Sequence, residues 1–319
     1  MAAAARLAQR ARPLSRPNPG VAALVVHHGR VVARGWTAAG GRPHAEAQAL
    51  AGLDPAMLAE ATLYVTLEPC AHQSPRGPAC ADLITAARPE RVVIGQRDPD
   101  PRTAGQGIAR IEAAGIPVRL LDDPASAASL AGFLTRQRAG RPWVTLKLAM
   151  SLDGCIALAD GASQWITGDA ARAHVHAHRA RHDAILVGGG TWRTDAPRLD
   201  VRLPGLAERS PRRVVLTRGS APDGVTAIAA PQDIANLDGV LYLYVEGGAQ
   251  TAAAFLAADL VDELHLYRAP ILIGDGRPGI GALGLTQLAD AHGRWQLREH
   301  RQLGSDTFSA YLRCRDQEG

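Results

Sequence analysis

His44-Ala45-Glu46, Glu68-Pro69-Cys70 and Cys80 bring together the residue types that hold a metal ion and move a proton. Zinc takes neutral imidazole and thiolate ligands in a tetrahedral set, and a catalytic site keeps its last position for water. One histidine and two cysteines leave that position free. An H-x-E followed by P-C and a further cysteine is the pattern of the zinc deaminases, in which the glutamate carries a proton and is not a ligand. With Glu46 in that role the expected chemistry is hydrolytic deamination of an amidine-like ring carbon, the proton passing from water to departing ammonia. The same residues also admit a zinc knuckle beside an unrelated acid. The nine residues between Cys70 and Cys80 exceed the usual P-C-x-x-C spacing, although a longer loop can still return the second cysteine.

A second set of chemical residues lies beyond residue 140. Val245-Glu246-Gly247-Gly248 joins a strand-like run to an Ala-rich helix, where backbone N–H groups can approach a phosphate, and where a tight turn is the plainer reading. Arg179 and Arg202 are planar cations suited to phosphate, set in an Arg-rich chain whose surface would carry arginines in any case. Lys147 is the only lysine, consistent with a role arginine cannot fill or with a salt bridge. Gly279 to Gly284 spells G-x-G-x-x-G, but it follows a Pro/Gly-rich stretch and leads to no βαβ helix, so it reads as loop. His174 and His178 share a helical face. Without a third ligand there, a solvated helix is expected, with Cys155 and Cys314 as small buried residues.

Alternating elements must position these residues. A first helix is expected to end at Pro17-Asn18-Pro19-Gly20, with a transit peptide as the lesser reading of the basic Ala-rich start. A hairpin over 21–35, a helix over 43–53 and a strand over 61–67 follow. Next come a Pro/Gly-rich loop over 69–78, a helix over 79–87, a strand over 91–95, a helix over 107–114 and a strand over 118–121. After a polar connector over 133–141, strands are expected at 143–149, 184–187, 213–216, 239–245 and 263–273, with helices at 169–181 and 251–258. Strands alternating with helices imply two α/β domains, 1–140 and 141–319, without an internal repeat.

At 319 residues the chain is about twice a ~150-residue domain, and 46% hydrophobic with 21% charged residues describes globular cores rather than disorder. No run approaches the ~18 apolar residues of a membrane span, and no secretory h-region opens the chain, so a cytoplasmic protein with no membrane partner is expected. The net charge of +4 comes without any block of five or more Lys/Arg, which argues against nucleic acid.

NPGVAALVV from Asn18, HAE at 44–46 and TLEPCAHQSPRGPACADLI over 66–84 resemble the deaminase half of the bacterial bifunctional riboflavin-biosynthesis deaminase/reductases, a family with a long loop between its cysteines. KLAMSLDGCIA over 147–157, SQWIT over 163–167, HRARHDAILVGGGTWRTDAPRLDVR over 178–202 and VEGG over 245–248 resemble the reductase half, across nearly all of 143–275. The resemblance implies a cytidine-deaminase-like α/β/α sandwich followed by a dihydrofolate-reductase-like α/β domain. It implies zinc at His44, Cys70 and Cys80, Glu46 as proton shuttle, and Asn18 and His72 around the substrate base, His72 reading by itself equally as a loop hydrogen-bonder. It implies NADPH contacts from Ala149, Trp165, Thr191, Asp195 and the Gly248 turn. Substrate contacts fall to Ser163, Arg179, Leu199, Arg202 and Glu246, beside Lys147. Here Ala22 stands where the family's N-P-x-V-G has its final glycine, and the N-terminal helix is a few residues short. The implied activity deaminates 2,5-diamino-6-(5-phosphoribosylamino)pyrimidin-4-one and then reduces its ribosyl chain to ribityl, in a homo-oligomer. A zinc deaminase of another base, nucleoside or tRNA with a non-reductase second domain is the alternative.

Overall fold

The computed structural model describes residues 1–72, 75–220 and 223–315. The chain divides into two compact units, Met1–Gly140 and Arg141–Gly319. In the first, α1 (Ala2–Ala8) runs into a single 3-10 turn that stops at Ala11, so Pro13, and not the cluster at 17–20, ends the helix. Proline lacks the N–H that another turn would need. β1 (Ala22–His27) and β2 (Arg30–Trp36) form a hairpin closed by His28 and Gly29, both at positive φ, as a two-residue turn matched to strand twist requires.

α2 (Ala45–Leu50) and the short α3 (Pro55–Leu58) precede β3 (Ala61–Leu67), which lies antiparallel to β1. α4 (Cys80–Ala87), β4 (Arg91–Gln96), α5 (Gln106–Ala113) and β5 (Val118–Leu120) complete a five-stranded sheet of order β2-β1-β3-β4-β5, in which β3, β4 and β5 are parallel. α6 (Pro124–Ser129) and α7 (Ala131–Ala139) close the unit. α1 and α6 pack together against β1, β3 and β4, whereas α2, α4 and α5 form a separate packed set. The result is a helix–sheet–helix sandwich.

The second unit is built on β6 (Trp143–Met150), the central strand of an eight-stranded sheet. β7 (Cys155–Leu158), α8 (Asp169–Arg179), β8 (Ala184–Gly188), α9 (Gly189–Asp195), β9 (Arg212–Leu216), β10 (Thr226–Ile228), β11 (Tyr242–Val245), α10 (Ala249–Ala257) and β12 (Glu263–Arg268) follow. β13 (Gly276–Pro278) pairs with β7 as a separate ribbon, and β14 (Trp295–Leu303) and β15 (Asp306–Arg313) form an antiparallel hairpin that extends the sheet. The order is β10-β9-β8-β11-β6-β12-β15-β14, parallel from β10 through β12. Strand side chains alternate between faces. Val144, Leu146 and Leu148 therefore enter one core with Leu243, Val245 and Phe255, while Ile185, Tyr244, Tyr267 and Phe308 form another with Ala171 and Val175 of α8.

Four further expectations change. α8 is not a solvated helix: His174 donates to or accepts from the Tyr267 hydroxyl at 2.9 Å, and His178 lies edge-on to His265 at 4.5 Å between ring centroids. The strand expected over 263–273 ends at Arg268, because Pro270 cannot continue the ladder. The β14–β15 hairpin was not foreseen, since WQLREHRQL carries charged residues on an exposed strand and no clean alternation. Cys314 is exposed, while Cys155 is buried as expected. Gly279–Gly284 is indeed loop. Among the described residues no helix is long and apolar enough to cross a membrane.

Candidate active sites

The C-terminal ends of parallel strands are where open α/β sheets build ligand sites, and both units follow this rule. In the first, β3 delivers Glu68-Pro69-Cys70 and the N-termini of α2 and α4 deliver His44, Glu46 and Cys80. His44 Nδ1 lies 3.2 Å from Cys80 Sγ and 3.6 Å from Cys70 Sγ. The three donor atoms all fall within 4.8 Å of one another. The Cys80 amide donates to Cys70 Sγ at 3.3 Å, and the Ala81 amide to the Cys70 carbonyl at 3.1 Å, so Cys70 satisfies the start of α4 with both its sulfur and its carbonyl.

Hydrogen bonds, first from the Cys80 thiol and then from His44, hold Cys70 down to about 4, and the shared proton pushes Cys80 up. Two sulfurs and an imidazole nitrogen at these separations fit a tetrahedral zinc ion in donor chemistry and in spacing. Glu46 is 3% exposed. Burial pushes its carboxyl up, against the pull of His44, and its side-chain hydrogen-bond partner is Cys80.

Glu68, buried beneath this cluster, is a brace. Its carboxylate accepts from the Asp98, Gly105 and Ile108 amides at 3.3, 3.1 and 3.2 Å. That fixes the loop after β4, and with it Asp98 and Asp100, beside the cysteines. Burial pushes Asp98 up to about 6, whereas the Arg102 guanidinium at 2.5 Å pulls Asp100 down. The sequence reading missed these two acids, for which Asp-Pro-Asp-Pro directly after a strand was the available signal. Asn18 is half-buried against Gly41, whose φ of +87° and absent Cβ make room for it. His72 is half-buried, and its Nδ1 has no hydrogen-bond partner among the described residues.

In the second unit the residues after β11 face those of β6 and α8. Arg179 binds Glu246 in bidentate fashion at 2.6 and 2.8 Å and also donates to the Asp200 carbonyl at 2.9 Å. Lys147 Nζ stands 3.7 Å from the same carboxylate. Burial would raise Glu246, but the Arg179 and Lys147 charges outweigh it and hold the carboxyl at about 2. Burial lowers Lys147.

A cleft of about 340 Å³ is lined by Trp165, Arg172, Ala173, His176, Arg202 and Leu203. Arg172 lies over the Trp165 ring at 4.9 Å, and the Arg202 amide donates to His176 Nδ1 at 3.3 Å. Arg172 and His176 were missed, although their i, i+4 spacing on α8 presents them together. Ser163 is half-buried, and Leu199 is buried with a φ of +54°. Gly248 caps α10, and a Cβ there would meet Thr191 Oγ1 at 3.7 Å, so α9 and the α10 N-terminus adjoin. Ala149 lies on β6 opposite Tyr267, and Asp195 is exposed at the end of α9.

Residues 142–309 match the RibD C-terminal domain family, and residues 1–96 match the cytidine and deoxycytidylate deaminase zinc-binding region. The chain is 37% identical over 361 aligned positions to riboflavin biosynthesis protein RibD of Escherichia coli K12, covering 96% of each. It is 36% identical to the Chlamydia trachomatis protein of the same name, covering 100% of this chain and 96% of the other. Among solved structures, Acinetobacter baumannii RibD (form 1) superposes with a TM-score of 0.86 at 31% identity, over 98% of this chain and 99% of that one. The Thermotoga maritima diaminohydroxyphosphoribosylaminopyrimidine deaminase/5-amino-6-(5-phosphoribosylamino)uracil reductase gives 0.86 at 30% identity, over 98% and 97%.

Proposed function

Because the chain belongs to the RibD family of bifunctional riboflavin biosynthesis enzymes, we propose that its first unit deaminates the diaminopyrimidinone ribosyl phosphate at the Glu46 cluster and its second reduces the product at the Lys147–Glu246–Arg179 cluster. The enzyme is a deaminase and a reductase, and the convergence of His44, Cys70 and Cys80 on one point beside Glu46 carries the first assignment.

His44, Cys70 and Cys80 would hold zinc, which when bound acts as a Lewis acid that eases the ionisation of water. Glu46, its proton affinity raised by burial, accepts the proton from the attacking water and returns it to the departing amine. Asn18 and His72 Nδ1, which has no partner among the described residues, offer polar atoms to the base, and Asp98 and Asp100 border it. Glu68 keeps that border in place without touching substrate.

NADPH, when bound in the second unit, would supply the hydride. Reducing the ribosyl carbon also consumes one proton, which ends on the ring oxygen as the ring opens. We assign that proton to Lys147, because burial lowers its hold on the proton and its Nζ lies 3.7 Å from the Glu246 carboxylate. Arg179 keeps Glu246 ionised, so that carboxylate does not compete for the proton. Arg202, Arg172 and His176 line a cleft suited to the sugar phosphate, with Ser163 and Leu199 contributing to the same region. Trp165, Ala149, Thr191, Asp195 and the Gly248 turn at the start of α10 would contact the cofactor. The thiol state of Cys70 and Cys80 that this chemistry needs fits the reducing cytoplasm.

A paired assay tests the reading: ammonia release and NADPH oxidation followed separately, for the wild type and Glu46→Gln. The wild type should release ammonia and then consume NADPH. The variant should do neither from the diamino substrate, yet oxidise NADPH when given the deaminated intermediate. Ammonia without NADPH oxidation in the wild type would overturn the second assignment, and failure to release ammonia would overturn the first.

A further inference from the structure

A second cluster of ligand-type side chains stands at the opposite end of β3 from Cys70, a strand length of ~20 Å away. It consists of His27 at the end of β1, His28 in the hairpin turn and Glu60 just before β3, and their donor atoms all lie within 4.8 Å of one another. His27 and His28 Nε2 point at the same Glu60 oxygen, at 3.6 and 3.5 Å. A direct N–H···O bond would be ~2.7–3.2 Å, whereas two donors each ~2.0–2.2 Å from a tetrahedral ion lie about 3.3 Å apart. The spacing is wide for a hydrogen bond and close to the edge of a coordination polyhedron.

The backbone builds this convergence. Successive strand residues normally point to opposite faces, but His28 adopts a left-handed φ of +46° in the turn, which brings its ring to 3.9 Å from that of His27. His27 is registered between Arg30 and Ala61 in the two ladders, so Glu60 is set beside it by the pairing of β1 with β3. The Glu60 amide is itself tied to the Met57 carbonyl at 3.2 Å. All three ligands thus hang from fixed backbone.

We propose that His27, His28 and Glu60 form a second metal site, selective for divalent ions of the zinc, nickel and copper class, that staples the β1–β2 turn to the start of β3. Two imidazoles with one carboxylate favour these ions over magnesium or calcium, which prefer all-oxygen sets. His28 and Glu60 are 73% and 66% exposed, so the ion enters directly from solvent and keeps at least one position for water or an outside ligand.

The test uses full-length enzyme already carrying one zinc per chain, dialysed to equilibrium against increasing Zn²⁺ or Ni²⁺ with metal counted per chain. The wild type should take up one further ion. Uptake should weaken at least tenfold in Glu60→Gln and in His28→Asn, which keeps a residue tolerant of positive φ, with ammonia release unchanged. Ni²⁺ should raise the melting temperature of the wild type but not of Glu60→Gln, and Mg²⁺ should do so for neither. The proposal fails if the wild type binds no further ion, or if that ion persists in the His28→Asn/Glu60→Gln double variant.

Discussion

Glu246 shows how one side chain's surroundings set both chemistry and stability. It is held at about 2 although burial opposes ionisation, because Arg179 and Lys147 face it, and Glu263 is held at about 2 in the same manner, burial opposed by His265 and Arg298. Both folded values lie below the ordinary 4.5. Their contribution is therefore fully present above that pH and is lost as pH falls toward 2, by up to about 3 kcal/mol per group. Urea midpoints of the wild type should drop across this acidic window, and Glu263→Gln should flatten part of the slope. A slope unchanged in that variant would show that Glu263 is not a source of it. At the same scale, Lys147→Arg keeps the charge but not a proton that can leave, since guanidinium stays protonated. NADPH oxidation with the deaminated intermediate should fall by ~10²–10⁴, with ammonia release untouched.

At the scale of elements, two glycines decide whether His44, Cys70 and Cys80 can converge. A Cβ on Gly35 of β2 would stand 2.2 Å from the Ala45 carbonyl oxygen and 2.8 Å from the Ala49 amide nitrogen, so α2, which presents His44 and Glu46, rests directly on that bare backbone. A Cβ on Gly107 of α5 would stand 2.0 Å from the Pro69 carbonyl oxygen, next to Cys70. In both cases the obstacle is main chain and must move as a unit. Gly35→Ala and Gly107→Ala should each cost about 1–3 kcal/mol and lower the zinc retained per chain, read by melting temperature and metal content. Full zinc retention in both would show that the ligands do not depend on these contacts. Gly35 and Gly107 were silent in the sequence, because nothing local says which strand or helix glycine will lie against the main chain of another segment.

At the scale of the molecule, each unit has its own sheet, and the second has cores on both faces of its sheet. Residues 141–319 expressed alone should therefore fold and oxidise NADPH with the deaminated intermediate while releasing no ammonia. An aggregated or inactive fragment would show that the second unit depends on the first. The α/β class, most strands and helices of the first unit and the grouping of His44, Cys70 and Cys80 were legible beforehand. Each of these rests on local pattern: period-two or helical runs, proline and glycine stops, and a short string of ligand types. Other features were not legible, because they depend on contacts between residues far apart in the chain. The β14–β15 hairpin exists because β12 offers it an antiparallel edge. α8 turns His174 and His178 inward because Tyr267 and Phe308 lie against them. Glu246 stays ionised because β6 and α8 bring Lys147 and Arg179 to it from about 100 and 67 residues away. The sequence by itself determined which donors, acids and cations the chain owns and the family it belongs to. Only the tertiary structure decided which of them share a site, because burial and proximity, which set every shifted proton affinity here, are properties of packed elements and not of neighbours along the chain.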